Sequence, residues 1–139
     1  MSKLYKAVIG FLFDGNDSVL LIKKNHPEWQ FGRLNGIGGK IERGETPLQA
    51  MIREFREEAG ALVTSWREFC QMTGDGYRLH LFTSREITKI NPGTDEGLID
   101  WYPVDKLPAN TLPNLMFLIP MANYKFDITA TVVHESPVC

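Results

Sequence analysis

The stretch from Gly36 to Ala61, GIGGKIERGETPLQAMIREFREEAGA, constrains this chain more than any other. Glycines let backbone approach a ligand closely, and here they lead through a short charged turn into a helix. The helix start is marked by Thr46 as N-cap, Pro47 at the first helical position and Gln49 three residues after the cap, a capping-box pattern. Gly60 marks its end, as the residue best able to take the left-handed conformation after the last turn. Leu48, Met51, Ile52, Phe55 and Ala59 recur at three- and four-residue steps, which predicts one apolar stripe docked on a sheet. At about 100° per residue, Glu54, Glu57 and Glu58 fall in a separate sector, roughly 125° from the centre of that stripe.

Three carboxylates at these spacings repel one another mildly unless a cation stands among them. Such a helix has an ordinary reading as a solvated face, in which Arg53 and Glu57, four apart, simply pair. The other reading is a hard divalent ion, since Mg²⁺ takes a few carboxylates together with phosphate oxygens and waters.

The flanking chain predicts an α/β fold. Lys3 to Phe13 and Val19 to Lys24 read as a hairpin around the Asp14–Asp17 turn cluster. Asn25 to Asn35 is irregular, and its Trp29 and Phe31 form either a small hydrophobic plug, the commoner case, or part of a ligand pocket. Trp66 to Thr73 and Tyr77 to Ile87 read as strands joined at Gly74-Asp75-Gly76. A polar loop over Asn91 to Gly97 precedes a strand over Leu98 to Val104. Leu112 to Asn123 is apolar enough for a buried second helix, capped by Thr111, with Pro113 in its first turn and Pro120 set to end it early. Tyr124 to Val133 reads as a last strand, able to pair across a dimer or as an edge of its own sheet, with a loose tail beyond it. Strands interleaved with two helices indicate a mixed sheet covered on both faces.

Composition narrows the function classes. A chain of 139 residues suits a single domain over 1–139 that buries a core without disulfides. A net charge of -2 argues against a nucleic-acid polymer held by broad electrostatics, yet leaves a single nucleotide open. Cys70 lies in an apolar run and Cys139 is the last residue, so no bridge is expected and a reducing compartment fits. The apolar run AVIGFLF is too short to span a bilayer, and the expectation is a soluble, cytoplasmic protein with no membrane partner. His26, His80 and His134 share no metal-ligand spacing, and no Ser/His/Asp or Cys/His nucleophile stands out.

Gly39, five residues, Glu45, seven residues, then Arg53-Glu54-Phe55-Arg56-Glu57-Glu58-Ala59-Gly60-Ala61 resembles the signature box of the Nudix hydrolases. Every charged and glycine position of that box is present. Phe55 and Ala61 depart from it, standing where the family usually has an aliphatic residue. The runs Gly32–Lys40 before it and Trp101–Pro108 after it look like the nucleoside triphosphate pyrophosphohydrolases of the family, the oxidised-purine triphosphatases being nearest. The resemblance implies an α/β/α sandwich with a mixed sheet, and Mg²⁺ as cofactor with Mn²⁺ as a possible substitute. It implies Glu57 and Glu58 as metal ligands, Glu54 as a further ligand or the base that activates water, and the Gly39 carbonyl as another ligand. Arg53 would hold the acids by ion pairing, Glu45 would fix the loop, and Glu96, with Asp95 as second choice, would complete the metal site.

The expected reaction is hydrolysis of a phosphoanhydride bond in a nucleoside triphosphate or related nucleoside diphosphate derivative. It would give a nucleoside monophosphate and pyrophosphate. Lys40, Arg43 and Lys23 are candidates for steadying the outer phosphates. Asn35 matches a position that reads the base in the oxidised-purine enzymes, or it is simply a turn asparagine before Gly36. Where those enzymes carry a tryptophan and paired acids, this chain has Leu112, Asn114 and Leu115, with Asn114 as the polar candidate. Leucine does not stack like indole and one amide does not share a proton as two acids do, so oxidised guanine is not the expected base. The alternatives are a nucleotide-sugar or ADP-ribose-type pyrophosphatase, and a non-catalytic nucleotide-binding module of the same fold. A homodimer is compatible with either.

Overall fold

A computed structural model describes residues 4–124 and 129–134. Its strands are β1 (Tyr5–Phe13), β2 (Ser18–Lys24), β3 (Leu34–Asn35), β4 (Ile37–Lys40), β5 (Arg67–Gly74), β6 (Tyr77–Arg85), β7 (Gly93–Thr94), β8 (Gly97–Pro103) and β9 (Ala130–Val133). The α-helices are α1 (Pro47–Ala59) and α2 (Leu115–Ala122). The strands form one sheet in the order β7-β8-β2-β1-β6-β5-β9, with β3 added on β2 and β4 on β1. β1 runs parallel to β6 and β5 parallel to β9, while the other pairs are antiparallel, so the sheet is mixed as expected.

Side chains alternate across a strand, and here each face has its own helix. Val8, Leu12, Leu20 and Ile22 pack with Met51 and Phe55 of α1, and Phe55 meets Trp66 edge-on at 5.2 Å between ring centroids. Phe11, Phe13, Val19 and Leu21 pack on the opposite face with Leu115, Leu118 and Ile119 of α2. The result is the α/β/α layering that the sequence implied.

α1 has the expected ends. Thr46 Oγ1 accepts from Gln49 N, the Gln49 side chain accepts from Thr46 N, and Gly60 closes the helix at φ 73°. Its roll differs from expectation. Leu48 is 40% exposed, whereas Ala50 and Glu58 are buried beside Met51, Phe55 and Ala59. The glycines of β4 carry no side chains to hold the helix off, so it settles toward them and draws Glu58 into the interface.

Three further expectations are corrected. Trp29 and Phe31 are 70% and 68% exposed, so neither plugs the interior; the 3₁₀ turn Glu28–Gln30 beside them buries nothing. Thr111 does not cap α2, because it is drawn into a parallel bridge with Leu34, and Leu112 N donates to the Leu34 carbonyl. The helix therefore begins only at Leu115, with Asn114 at its N-cap making no side-chain cap bond, and ends two residues after Pro120. The last strand is confined to Ala130–Val133, where it pairs with β5 of its own chain. Residues 125–128 of the expected strand lie outside the described residues, as do Lys3, Cys139 and the tail. Cys70 is buried with a free thiol, and no described helix is long and apolar enough to cross a membrane.

Candidate active site

Pairing of β4 with β1 sets Gly39 opposite Val8 and Gly38 opposite Ile9. A side chain on Gly38 would overlap the Val8 carbonyl. A Cβ on Gly39 would stand 2.5 Å from Glu54 Cδ and 2.6 Å from each of its carboxylate oxygens. The carboxylate of Glu54 thus lies directly against the Gly39 backbone, a contact only glycine permits. Glu58 accepts from the Gly38 N–H, while its Oε2 is buried with no hydrogen-bond partner.

Arg53 ties the loop to the helix. Its Nε and Nη2 donate to Glu45 Oε2 and Oε1 at 2.6 and 2.8 Å, and Nη2 also reaches the Lys40 carbonyl at 3.1 Å. Its Nη1 donates to Glu54 Oε1 at 2.9 Å and to Glu57 Oε2 at 3.3 Å. Glu45 Oε1 in turn accepts from Glu42 N at 2.9 Å. A planar guanidinium can serve several carboxylates at once in this way, which a lysine ammonium cannot do in one plane.

The three acids of the helix are not equivalent. Glu57 is exposed, Glu54 is partly buried, and Glu58 is 5% exposed. Burial raises the pKa of Glu58 to about 8, with Lys24 pulling it down and Glu54 and Glu96 pushing it up. Burial also raises Glu54, and the Arg53 hydrogen bond only partly opposes this. Glu45 is lowered, chiefly by its hydrogen bond from Arg53, and Arg53 is correspondingly raised. Uncompensated carboxylates out of water are costly, and this group stands short of positive charge.

Glu96 lies in the Asp95-Glu96 turn between β7 and β8, and its charge is felt at both Glu54 and Glu58. Its Oε2 faces Lys24 Nζ at 3.9 Å and His26 Nε2 at 3.4 Å. Asp95 offers its backbone carbonyl to Asn25 Nδ2 at 3.0 Å. Alternation along β2 separates the two lysines. Lys24 points to the α1 face and the acids, while Lys23 is exposed on the α2 side, in register with Leu34 and Leu98. Lys24 was missed in the sequence reading, although counting the alternation from Leu20 and Ile22 finds it.

Lys40 and Arg43 are exposed beside the start of α1. Asn35 is buried, with Oδ1 accepting from Gly36 N at 2.8 Å and Nδ2 donating to Gln30 Oε1 at 3.2 Å. The bond to Gly36 N fits the reading of Asn35 as the asparagine that shapes the turn before Gly36. Gln30 is its unforeseen companion, hidden in a stretch that reads only as loop. The Leu34–Thr111 bridge carries the segment leading to Asn114 next to Asn35. Of the histidines, His80 bonds Glu68, His134 bonds Tyr77, and His26 is exposed beside Glu96.

The donor set suits a hard cation. The charges of Glu54 and Glu96 act on Glu58, whose buried Oε2 lacks a partner, and such repulsion is what a hard cation removes. Among the described residues no three His, Cys, Asp or Glu groups converge as a finished ligand set. Glu54 and Glu57 are instead turned on Arg53, and Glu96 on Lys24 and His26.

The layers, the glycine strand and the carboxylate helix define an α/β/α protein with an acidic site set against the glycine strand. Residues 3–118 match the NUDIX domain, and the chain belongs to the Nudix hydrolase family. It is 40% identical over 60 residues to the 8-oxo-dGTP diphosphatase of Escherichia coli, a match over 43% of this chain and 46% of that protein. It is 33% identical over 88 residues to the oxidized purine nucleoside triphosphate hydrolase of Danio rerio, over 58% of this chain and 56% of that one. These matches thus span about half the length of those relatives. In structure it is similar to a NUDIX hydrolase from Nitrosomonas europaea, with a TM-score of 0.79 at 19% identity over 98% of this chain and 81% of that one.

Proposed function

We propose that this chain hydrolyses a phosphoanhydride bond of a nucleoside triphosphate, or of a related nucleoside diphosphate derivative, with the aid of Mg²⁺. The observation that carries this reading is the buried, partnerless Glu58 Oε2 beside Glu54, whose carboxylate is fitted to the Gly39 backbone. Glu54, Glu57, Glu58, the Gly39 carbonyl and Glu96 would hold the ion, and Mn²⁺ has the same preference for oxygen donors. When bound, the ion offsets phosphate charge and makes a water easier to ionise.

The chain's own groups do the rest. Glu54, its pKa already raised by burial, accepts the proton of the attacking water. The water oxygen bonds to phosphorus in line with the bridging oxygen, which departs with the bond's electron pair. With a triphosphate cut at its α-phosphorus, the products are a nucleoside monophosphate and pyrophosphate. Arg53 holds Glu54 and Glu57 at fixed separation from the loop. Lys24 balances Glu58 and Glu96, and Lys40 and Arg43 steady the outer phosphates. Asn35 with Gln30, and Asn114 on the neighbouring segment, present amides to the base, with Lys23 at the edge of that side. Leu112 and Leu115 offer no stacking plane or shared proton, which favours a base other than oxidised guanine. The free buried thiol of Cys70 is compatible with a reducing, cytoplasmic setting.

Glu57→Gln and Glu58→Gln are expected to abolish Mg²⁺-dependent release of pyrophosphate across a panel of canonical and oxidised nucleotides. Melting temperatures should stay unchanged or rise slightly. Turnover retained in both variants would sink the site assignment. Wild-type protein inert toward the whole panel, with Mg²⁺ and with Mn²⁺, would favour a nucleotide-binding module instead.

A further inference from the structure

Near the start of α1 a groove of about 660 Å³ opens against the end of the sheet. Lys40 at the end of β4, Arg43 in the turn after it, Lys6 on β1 and Arg78 and His80 on β6 border it. The whole chain carries a net charge of -2, yet four of its 15 lysines and arginines border this one groove. None of the four is ion-paired among the described residues. Of the two acids on the rim, Glu45 is already engaged by Arg53.

Lys6 and Arg78 are direct neighbours on the parallel strands β1 and β6. Like charges placed opposite each other weaken a sheet, and an anion between them removes that repulsion. Beside them His80 is 9% exposed, with Nδ1 2.7 Å from Glu68 Oε1. An ionised carboxylate only accepts, so Nδ1 carries a hydrogen and the ring is fixed in orientation. Its Nε2 makes no hydrogen bond among the described residues and is left for the groove. The first amides of α1 are less available, because the Thr46–Gln49 capping box already uses one of them.

We propose that this groove is an oxyanion site, distinct from the carboxylate site, that takes a pyrophosphate-type ligand. Cations spread along the ends of β6, β1 and β4 and the turn after β4 suit an extended anion with charge along its length better than a single phosphate. The groove shares Lys40 and Arg43 with the proposed hold on the outer phosphates and rests on that reading there, but binding needs neither metal nor turnover, so failure of one is distinguishable from failure of the other.

The test is calorimetric titration of the full chain with inorganic pyrophosphate, in EDTA and at near-physiological salt, alongside NMR of the His80 ring. Saturable one-to-one binding is expected, with a shift of the His80 resonance and with affinity retained in Glu57→Gln. The Lys6→Ala/Arg78→Ala double variant, at exposed positions, should bind about tenfold more weakly or worse, as loss of charge-assisted contacts implies. Orthophosphate should bind more weakly than pyrophosphate. Absence of saturable binding, equal affinity in the double variant, or binding lost in Glu57→Gln would each overturn the assignment. Equal affinity for orthophosphate would overturn the extended ligand.

Discussion

Glu58 shows how much one residue's surroundings change its chemistry. Three glutamates within five positions look alike as letters, yet one is exposed, one partly buried and one buried to 5% exposure. With its pKa near 8, well above the ordinary carboxylate value of 4.5, folded Glu58 keeps a proton that the unfolded chain has released between those limits. Unfolding then releases a proton, so this group's contribution to stability is greatest at low pH and is lost as pH rises toward 8. Each unit of such a shift corresponds to about 1.4 kcal/mol. In EDTA, Glu58→Gln is therefore expected to melt above wild type at pH 8, with the gap closing as pH falls to about 5. A gap independent of pH, measured by calorimetry, would show that Glu58 is not the buried acid. The spacing of the three glutamates and their place in the box suggest a metal-binding role. Their inequality was not legible, since it depends on how far the helix rolls into the glycine strand.

At the scale of elements, α1 is the part most faithful to its sequence. Its capping box involves residues three apart, so local chemistry decides it. Thr46→Ala removes the side chain that accepts from Gln49 N and is expected to cost about 1 kcal/mol, read from the urea midpoint. The metal requirement for turnover should be unchanged, and a loss of several kcal/mol would mean that the cap supports more than its helix. α2 is the contrasting case. Thr111 has the chemistry of a cap, but Leu34 claims it for a strand bridge, a partner 77 positions away in sequence. Likewise alternation alone sets Lys23 and Lys24 on opposite faces, but only the packing of α1 on the face of Leu20 and Ile22 decides that Lys24 is the one beside the acids.

For the molecule as a whole, the sheet is what positions the site, with β4 paired to β1 and α1 packed over it. Phe55, an aromatic where an aliphatic residue is usual in the box, is wholly buried against Trp66 between α1 and the sheet. Phe55→Ala should cost about 3–5 kcal/mol by leaving a cavity at that interface, measured as a fall in the urea midpoint with an unchanged slope. A cost below about 1 kcal/mol would show that the layers close over the gap. By itself the sequence determined the ends of α1, the two-faced alternation of the central strands and the spacing of the box, because each rests on neighbours within a few residues. Tertiary structure alone decided that Glu58 is buried, that the charges of Glu96 and Lys24 act on it, and that Lys6 and Arg78 lie side by side. Those facts arise where distant strands are brought together, and no local pattern along the chain records how a helix rolls or which strands become neighbours.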